Sequence, residues 1–288
     1  MTATKIDSGI DIDALRQWIG RRESRGDTIT AAPVAALAAT LDRDGMPPSL
    51  PPLYHWLYFL PVSPMASVGD DGHPARGGFL PPVPLPRRMW AASRIGFHQP
   101  LHIGDSVTRI SEISDVQWKQ GRGGALVFVK LKHALMLRTG IAAITEEQDI
   151  VYRAAPRPGE VPPAPQAAPA DALWRRSVLP DPVLLFRYSA LTFNGHRIHY
   201  DRPYATGVEG YPGLVVHGPL IATLLVDHLL RCRPDAAIVR FKFRAVRPLF
   251  DGTPFELNAC PSDDGRSMRL WASDAGGALC MDATATLA

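Results

Sequence analysis

The segment Phe186 to Asp201, FRYSALTFNGHRIHYD, gathers Asn194, His196, Arg197, His199 and Asp201 within eight residues. Such a density of acid–base and hydrogen-bonding side chains exceeds what a sheet surface needs. A histidine with a reference pKa near ~6.5 exchanges protons at neutral pH, so this loop can supply a base. Asn194 neither gains nor loses a proton, so it can hold a water or orient a neighbour by hydrogen bonding. Further along, Gly213-Leu-Val-Val-His217-Gly218-Pro219-Leu220 leads straight into the apolar run ending at Leu230. A helix that starts there presents unpaired N–H groups and the positive end of its dipole. That arrangement suits an oxygen on which negative charge develops. His217 either anchors the turn into this helix or faces a substrate. His196-x-x-His199-x-Asp201 has a spacing that metal ligands use, but no further ligand cluster accompanies it and no metal is expected.

These residues must be positioned by the elements around them. The stretch from His217 to Leu230 is apolar nearly all round, so it is expected to be a buried helix, with Pro219 in the first turn, where a missing N–H loses nothing. Val34 to Leu41 is read as its shorter counterpart in the first half. Ahead of two matching series of strand-like runs stands the same signature, Pro100-Leu101-x-x-Gly104 and Pro248-Leu249-x-x-Gly252, offset by 148 residues. The runs are Ser106 to Gln117, Ala125 to Arg138 and Ile141 to Tyr152, then Pro254 to Cys260, Met268 to Ser273 and Ala278 to Leu287, each separated by Gly-containing turns. Alternation within them, Val127, Val129 and Leu131 against Phe128, Lys130 and Lys132, fits an antiparallel sheet. Tandem duplication explains this ordered match better than chance does. The expected class is α+β, an antiparallel sheet wrapped around a central helix and built twice, which is the arrangement of a double hotdog fold.

Composition bounds the rest. The chain has 288 residues, 46% hydrophobic and 20% charged, with a net charge of +3. That is the range of a folded protein, and it lacks the concentrated basic face of a nucleic-acid binder. Three cysteines, Cys232, Cys260 and Cys280, are too scattered for a disulfide framework. No signal-like start and no apolar run of ~18 residues is present, so a cytoplasmic chain without a membrane span is expected. Proline is abundant, 28 residues with 24 glycines, and six prolines fall between Pro156 and Pro169. We therefore read 1–155 as an N-terminal domain, 156–170 as a Pro-rich linker and 171–288 as the C-terminal domain.

The segment Asn194 to His199, followed by Val216-His217-Gly218, resembles the MaoC-type (R)-specific enoyl-CoA hydratases, in which Gly-Asp-x-Asn-Pro-x-His precedes Val-His-Gly at the central helix. Aligned on the last histidine, His199 falls at the catalytic His, Asn194 at the catalytic Asp and Gly218 at the oxyanion-hole glycine. His196 and Arg197 replace the family's Asn-Pro. Leu191-Thr-Phe-Asn-Gly-His-Arg-Ile-His-Tyr-Asp201, with Pro52 to Phe59 and Pro84 to Trp90, resembles the two-hotdog subgroup that includes fungal 3-hydroxyacyl-thioester dehydratases and bacterial itaconyl-CoA and mesaconyl-CoA hydratases.

The resemblance implies reversible addition of water to an enoyl-CoA, coenzyme A entering as part of the substrate and no separate cofactor being needed. Itaconyl-CoA or mesaconyl-CoA, giving citramalyl-CoA, is the expected substrate. Its free carboxylate would need a guanidinium, for which Arg197, Arg202, Arg87 and Arg88 are candidates. A fatty-acyl thioester would instead need an apolar tunnel, which Trp56, Tyr58, Phe59, Met89 and Trp90 could line. Arg240, Lys242 and Arg244 share one face of a strand and could meet coenzyme A phosphates. With Asn194 at the usual Asp position, the source of the α-proton is open. Only the C-terminal half carries the loop, which leaves the N-terminal half to accommodate the acyl group. A hotdog thioesterase or a non-catalytic acyl-CoA-binding protein is the alternative, and a homodimer is compatible with the exposed sheet edges.

Overall fold

The computed structural model describes residues 9–45, 47–121, 123–155, 163–263 and 265–288. In the first half, α1 (Ile12–Arg16), β1 (Arg22–Thr28) and α2 (Ala31–Thr40) precede a meander of β2 (Arg87–Phe97), β3 (Ser106–Gly121), β4 (Gly124–Leu137) and β5 (Ala142–Arg153). The second half runs β6 (Trp174–Val178), α3 (Pro182–Leu191), α4 (Gly218–Cys232), β7 (Ile238–Ala245), β8 (Phe255–Pro261), β9 (Ser267–Ser273) and β10 (Leu279–Leu287). All ten strands form one sheet in the order β1-β3-β4-β5-β2-β7-β10-β9-β8-β6. Read outward from its centre, each half has the same sequence of strands. The halves join where β2 pairs antiparallel with β7, from Ala92 opposite Arg244 to Gly96 opposite Arg240.

The elements follow from local chemistry. Along β4, Ala125, Val127, Val129, Leu131, His133 and Leu135 are buried while the residues between them are less so, the period of two that the alternation predicts. The repeated Pro-Leu-x-x-Gly turns are equivalent in detail. Leu101 and Leu249 are both buried, and Gly104 and Gly252 take φ of 98° and 78°, a region that side chains with a Cβ disfavour. Asp181 caps α3 by accepting from the Leu184 N–H, with Pro182 at its start, so this helix begins and ends at defined points before the site loop.

On α4, every residue from Leu220 to Leu229 is buried. It packs in one continuous core with Phe241, Phe243, Leu270 and Met281 of the second half and Leu53 and Leu57 of the first. Asp227 is the charged exception. Its carboxylate pairs with Arg231 of the same helix, Arg176 of β6 and Arg43 beyond α2, tying both halves to α4.

One expectation is corrected. The segment read as the counterpart of the buried helix, Val34 to Leu41, lies in α2, which corresponds to α3. Each of the two follows the outer strand of its half, and they pack against each other. Among the described residues no α-helix of the first half occupies the place of α4. Residues 60–86 contain seven prolines and four glycines, which remove helical N–H donors and penalise helical backbone. That stretch instead makes a short 3-10 turn, Met65–Ser67, and a small loop closed by a bridge between Val68 and Pro74. Of the proposed linker, residues 156–162 lie outside the described residues. Beyond them, Ala168 donates to the Gly277 carbonyl and Ala167 bridges Ala278. No described helix is long and apolar enough to cross a membrane.

Candidate active site

The loop after α3 turns sharply at Phe193, where φ is 49°. The Asn194 carboxamide oxygen accepts from the His196 N–H at 3.0 Å, and the Asn194 N–H donates to the Ser189 carbonyl at 2.8 Å. Asn194 is thus a loop-shaping residue, as its chemistry allows. A 3-10 turn, Arg197–His199, then buries His199. Its Nδ1 lies 2.7 Å from the Val215 carbonyl, which can only accept. The neutral ring therefore carries its proton on Nδ1 and its lone pair on Nε2. The ring stacks on His217, with centroids 3.7 Å apart and planes at 19°. His217 is 1% exposed, and its Nε2 is 2.8 Å from the Ser189 hydroxyl. It is held between the Ser189 hydroxyl and the His199 ring, which it supports. The His217 side chain does not cap α4, and Pro219 brings no N–H, so the Gly218 N–H heads the helix. A Cβ on Gly218 would lie 3.8 Å from the Trp90 carbonyl, which places the start of β2 beside the start of α4.

The first half supplies the other wall. The Arg197 N–H donates to the Asp71 carbonyl at 2.9 Å, docking the loop around Asp71 onto the site loop. The approach is so close that a Cβ on Gly72, whose φ is 85°, would run into the Gly195 carbonyl. Asp71 accepts from the His73 backbone N–H at 2.9 Å, and its other carboxylate oxygen is 3.2 Å from His73 Nδ1. The His73 ring then lies 4.1 Å from that of His196, and His196 lies 5.4 Å from His199. A row of imidazoles, His73, His196, His199 and His217, thus crosses from one half to the other. Asp71 and His73 were missed in the sequence. Their only local signal is an acid and a histidine two apart in a Gly-rich turn, Gly69-Asp-Asp-Gly-His73.

Burial governs the electrostatics. Desolvation pushes His199 down to about 4, against the Val215 hydrogen bond that favours the charged ring. Desolvation and the neighbouring His73 and His199 push His196 down to about 2. His217 is held well below the ordinary histidine range by burial and the two rings beside it. His73 is also lowered, by burial first, but its hydrogen bond to Asp71 works the other way. Burial acts to raise the Asp71 carboxyl, yet the His73 hydrogen bonds outweigh it and leave Asp71 well below the carboxylate range.

The arginines sort by their partners. Arg197 is paired with Asp201 at 2.8 Å and lies over the Tyr204 ring. Arg202 is bound to Asp251, and Arg87 to Glu209. Arg88 is half-buried, neighbours the Tyr152 hydroxyl and exerts its charge on His73 and His196. Among the described residues, Arg88 has no carboxylate in ion-pairing range. Arg240, Lys242 and Arg244 are exposed on β7, on the face opposite the buried Phe241 and Phe243, so the sheet separates them from α4. Asp71, His73 and His196 bring donor atoms within 4.8 Å of one another, a spacing that could hold a metal ion. The Arg76 and Arg88 charges act on the same His73 and oppose a dication there. Trp56 packs edge-on to Trp90 at 4.9 Å, whereas Tyr58 and Phe59 are core residues.

The class is a double hotdog, the fold described for the Mycobacterium tuberculosis protein Rv0216, which covers 94% of this chain and 96% of its own at a TM-score of 0.57, with 15% identity. A MaoC-like dehydratase from Phytophthora capsici covers 97% of this chain and 99% of its own at a TM-score of 0.70, with 14% identity. HtdX of Mycobacterium tuberculosis covers 92% and 99% at 0.66, with 19% identity. A family model, hydroxyacyl-thioester dehydratase type 2, matches residues 53–251, and the chain belongs to that family and is a hydro-lyase. The chain is 49% identical over 277 residues to mesaconyl-C(4)-CoA hydratase of Chloroflexus aurantiacus, covering 94% of this chain and 96% of the relative. It is 30% identical to the mitochondrial hydroxyacyl-thioester dehydratase type 2 of Schizosaccharomyces pombe, covering 85% and 90%.

Proposed function

We propose that this protein adds water reversibly across the double bond of mesaconyl-C(4)-CoA, giving citramalyl-CoA. The observation that carries the choice of a dicarboxylic substrate is Arg88, a half-buried guanidinium beside the site histidines with no carboxylate partner among the described residues. A half-buried guanidinium without a counterion carries a desolvation cost, which a substrate carboxylate binding bidentately would offset. In this substrate the free carboxylate sits on the β-carbon, the atom that receives water, so a guanidinium next to the histidines is where it is needed.

In the hydration direction, His199 Nε2 takes a proton from water as the water oxygen bonds to the β-carbon. The double-bond electrons move toward the thioester carbonyl, whose oxygen accepts from the Gly218 N–H, an interaction of ~3 kcal/mol in comparable sites. The Val215 carbonyl holds the base in the tautomer this step needs, and the stacked His217 ring supports it.

The test is a parallel assay of mesaconyl-C(4)-CoA, itaconyl-CoA and crotonyl-CoA, following loss of the enoyl-thioester absorbance and release of free thiol. Hydration of mesaconyl-C(4)-CoA without thiol release is expected. Arg88→Ala should lower kcat/KM for it by about a hundredfold or more, without a comparable loss on crotonyl-CoA, which has no carboxylate to bind. Thiol release, or equal loss on both substrates, would count against the proposal.

A further inference from the structure

Hydration of an enoyl thioester needs two proton transfers, one from water to a base and one to the α-carbon. At the position where a carboxylic acid would share this work stands Asn194, and its amide oxygen is engaged by the His196 N–H. We propose that His73, oriented by Asp71, is the second catalytic acid–base group of this chain, contributed by the opposite half. The proposal rests on the hydratase reading above.

Elimination among the neighbouring groups supports it. His217 is 1% exposed and is held between Ser189 and the His199 ring. Asp201 is bound to Arg197 and to the Tyr204 N–H. His196 lies between His73 and His199, so a charge there would face an imidazole on either side. His73 alone among these rings has a carboxylate on one nitrogen, Asp71 at 3.2 Å from Nδ1. That contact fixes Nδ1 as the donor to Asp71 and leaves Nε2 as the atom that gains and loses a proton, the orientation a general acid–base requires.

The charged and titratable groups around His73 are Asp71, Arg76, Arg88, His196 and, beyond it, His199. Arg76 is fixed by the carbonyls of Val83, Leu85 and Pro86, so its charge stays in place. The charge of Arg88 disfavours protonated His73 in the free protein. A substrate carboxylate on Arg88 cancels that influence, so substrate binding itself promotes the imidazolium form of His73. As water adds to the β-carbon and gives its proton to His199, the electron pair on the enolate takes the proton from His73 Nε2 and forms the α-carbon–hydrogen bond. His73 becomes neutral and His199 charged. The excess proton on His199 is returned to His73 through solvent. In the dehydration direction His73 removes the α-proton and His199 protonates the leaving hydroxyl.

The experiment compares wild type with His73→Gln, His73→Ala and Asp71→Asn in the full chain, first with mesaconyl-C(4)-CoA and then with whichever enoyl-CoA the wild type hydrates. For His73→Gln we expect kcat lower by a hundredfold or more, KM within about threefold, and loss of one limb of the kcat–pH profile. Added imidazole should restore part of the activity of His73→Ala, which a structural role would not allow, and Asp71→Asn should fall between these variants and wild type. Near-wild-type kcat in His73→Gln, an unchanged pH profile together with no imidazole rescue, or wild-type activity removed by a chelator and restored by a divalent cation would overturn the role of His73. A wild-type chain that hydrates no enoyl-CoA would overturn the hydratase reading, and the role of His73 with it.

Discussion

At the residue scale the site depends on how its histidines hold protons. The Val215 carbonyl fixes the proton of His199 on Nδ1, so the reactive lone pair is on Nε2 and needs no rearrangement before water is activated. His199→Ala should lower kcat by a hundredfold or more with the fold retained, measured by steady-state hydration and circular dichroism. Because Asn194 shapes the loop and does not titrate, Asn194→Ala should reduce kcat strongly and leave the pH limits where they are. Burial of the rings also sets a pH dependence of stability. In the unfolded chain a histidine titrates near ~6.5, whereas folded His199 stays neutral down to about 4. Below ~6.5 the unfolded state therefore binds more protons, and stability falls with pH until about 4, by on the order of 3 kcal/mol for this group. His196, neutral down to about 2, extends the same loss to lower pH. Denaturant midpoints at pH 7.5, 6 and 5 should decrease in that order.

Among the elements, the decisive contact joins the Asp71 loop to the site loop. Each segment is closed by hydrogen bonds of its own, and the two meet through the Arg197 N–H on the Asp71 carbonyl and through the absence of side chains at Gly72 and Gly195. Gly72→Ala adds a Cβ both to a left-handed backbone and to a space already filled by the Gly195 carbonyl. It should lower kcat more than tenfold while shifting the thermal midpoint by only a few degrees, since the loop lies outside the main core. The start of α4 contributes in the opposite way. A histidine N-cap whose side chain leaves the helix amides alone keeps the Gly218 N–H available to a substrate oxygen.

Over the whole molecule, the two halves act as one folded unit because their sheet is continuous and their core is shared. Asp227 links them electrostatically, with guanidiniums from three parts of the chain around one buried carboxylate. Burial alone would raise its pKa, but hydrogen bonds from Arg231, Arg43 and Arg176 lower it overall. Asp227→Ala leaves those three charges without their counterion and should destabilise the protein by about 3 kcal/mol or more in denaturant unfolding. In the proposed mechanism the first half contributes Asp71, His73 and Arg88 to the site as well as room for the acyl group.

Much of this was legible in the residues themselves. Strand periodicity, the paired Pro-Leu-x-x-Gly turns, the buried α4 and the loop from Asn194 to His199 are local signals, carried by the alternation of neighbouring side chains and by turn chemistry. The equivalence of α2 with α3 was not legible, because a short apolar helix reads alike in either place until its strand neighbours are known. Nor could sequence distinguish Arg88 from Arg87, Arg197 and Arg202, since a carboxylate partner is a matter of distance through space. The sequence by itself thus determined the class and pointed to His199 as the base. Only the tertiary structure brought His73 and Asp71 across to that base, because residues so far apart in the chain meet only when the sheet closes and two glycine-bearing loops come into contact.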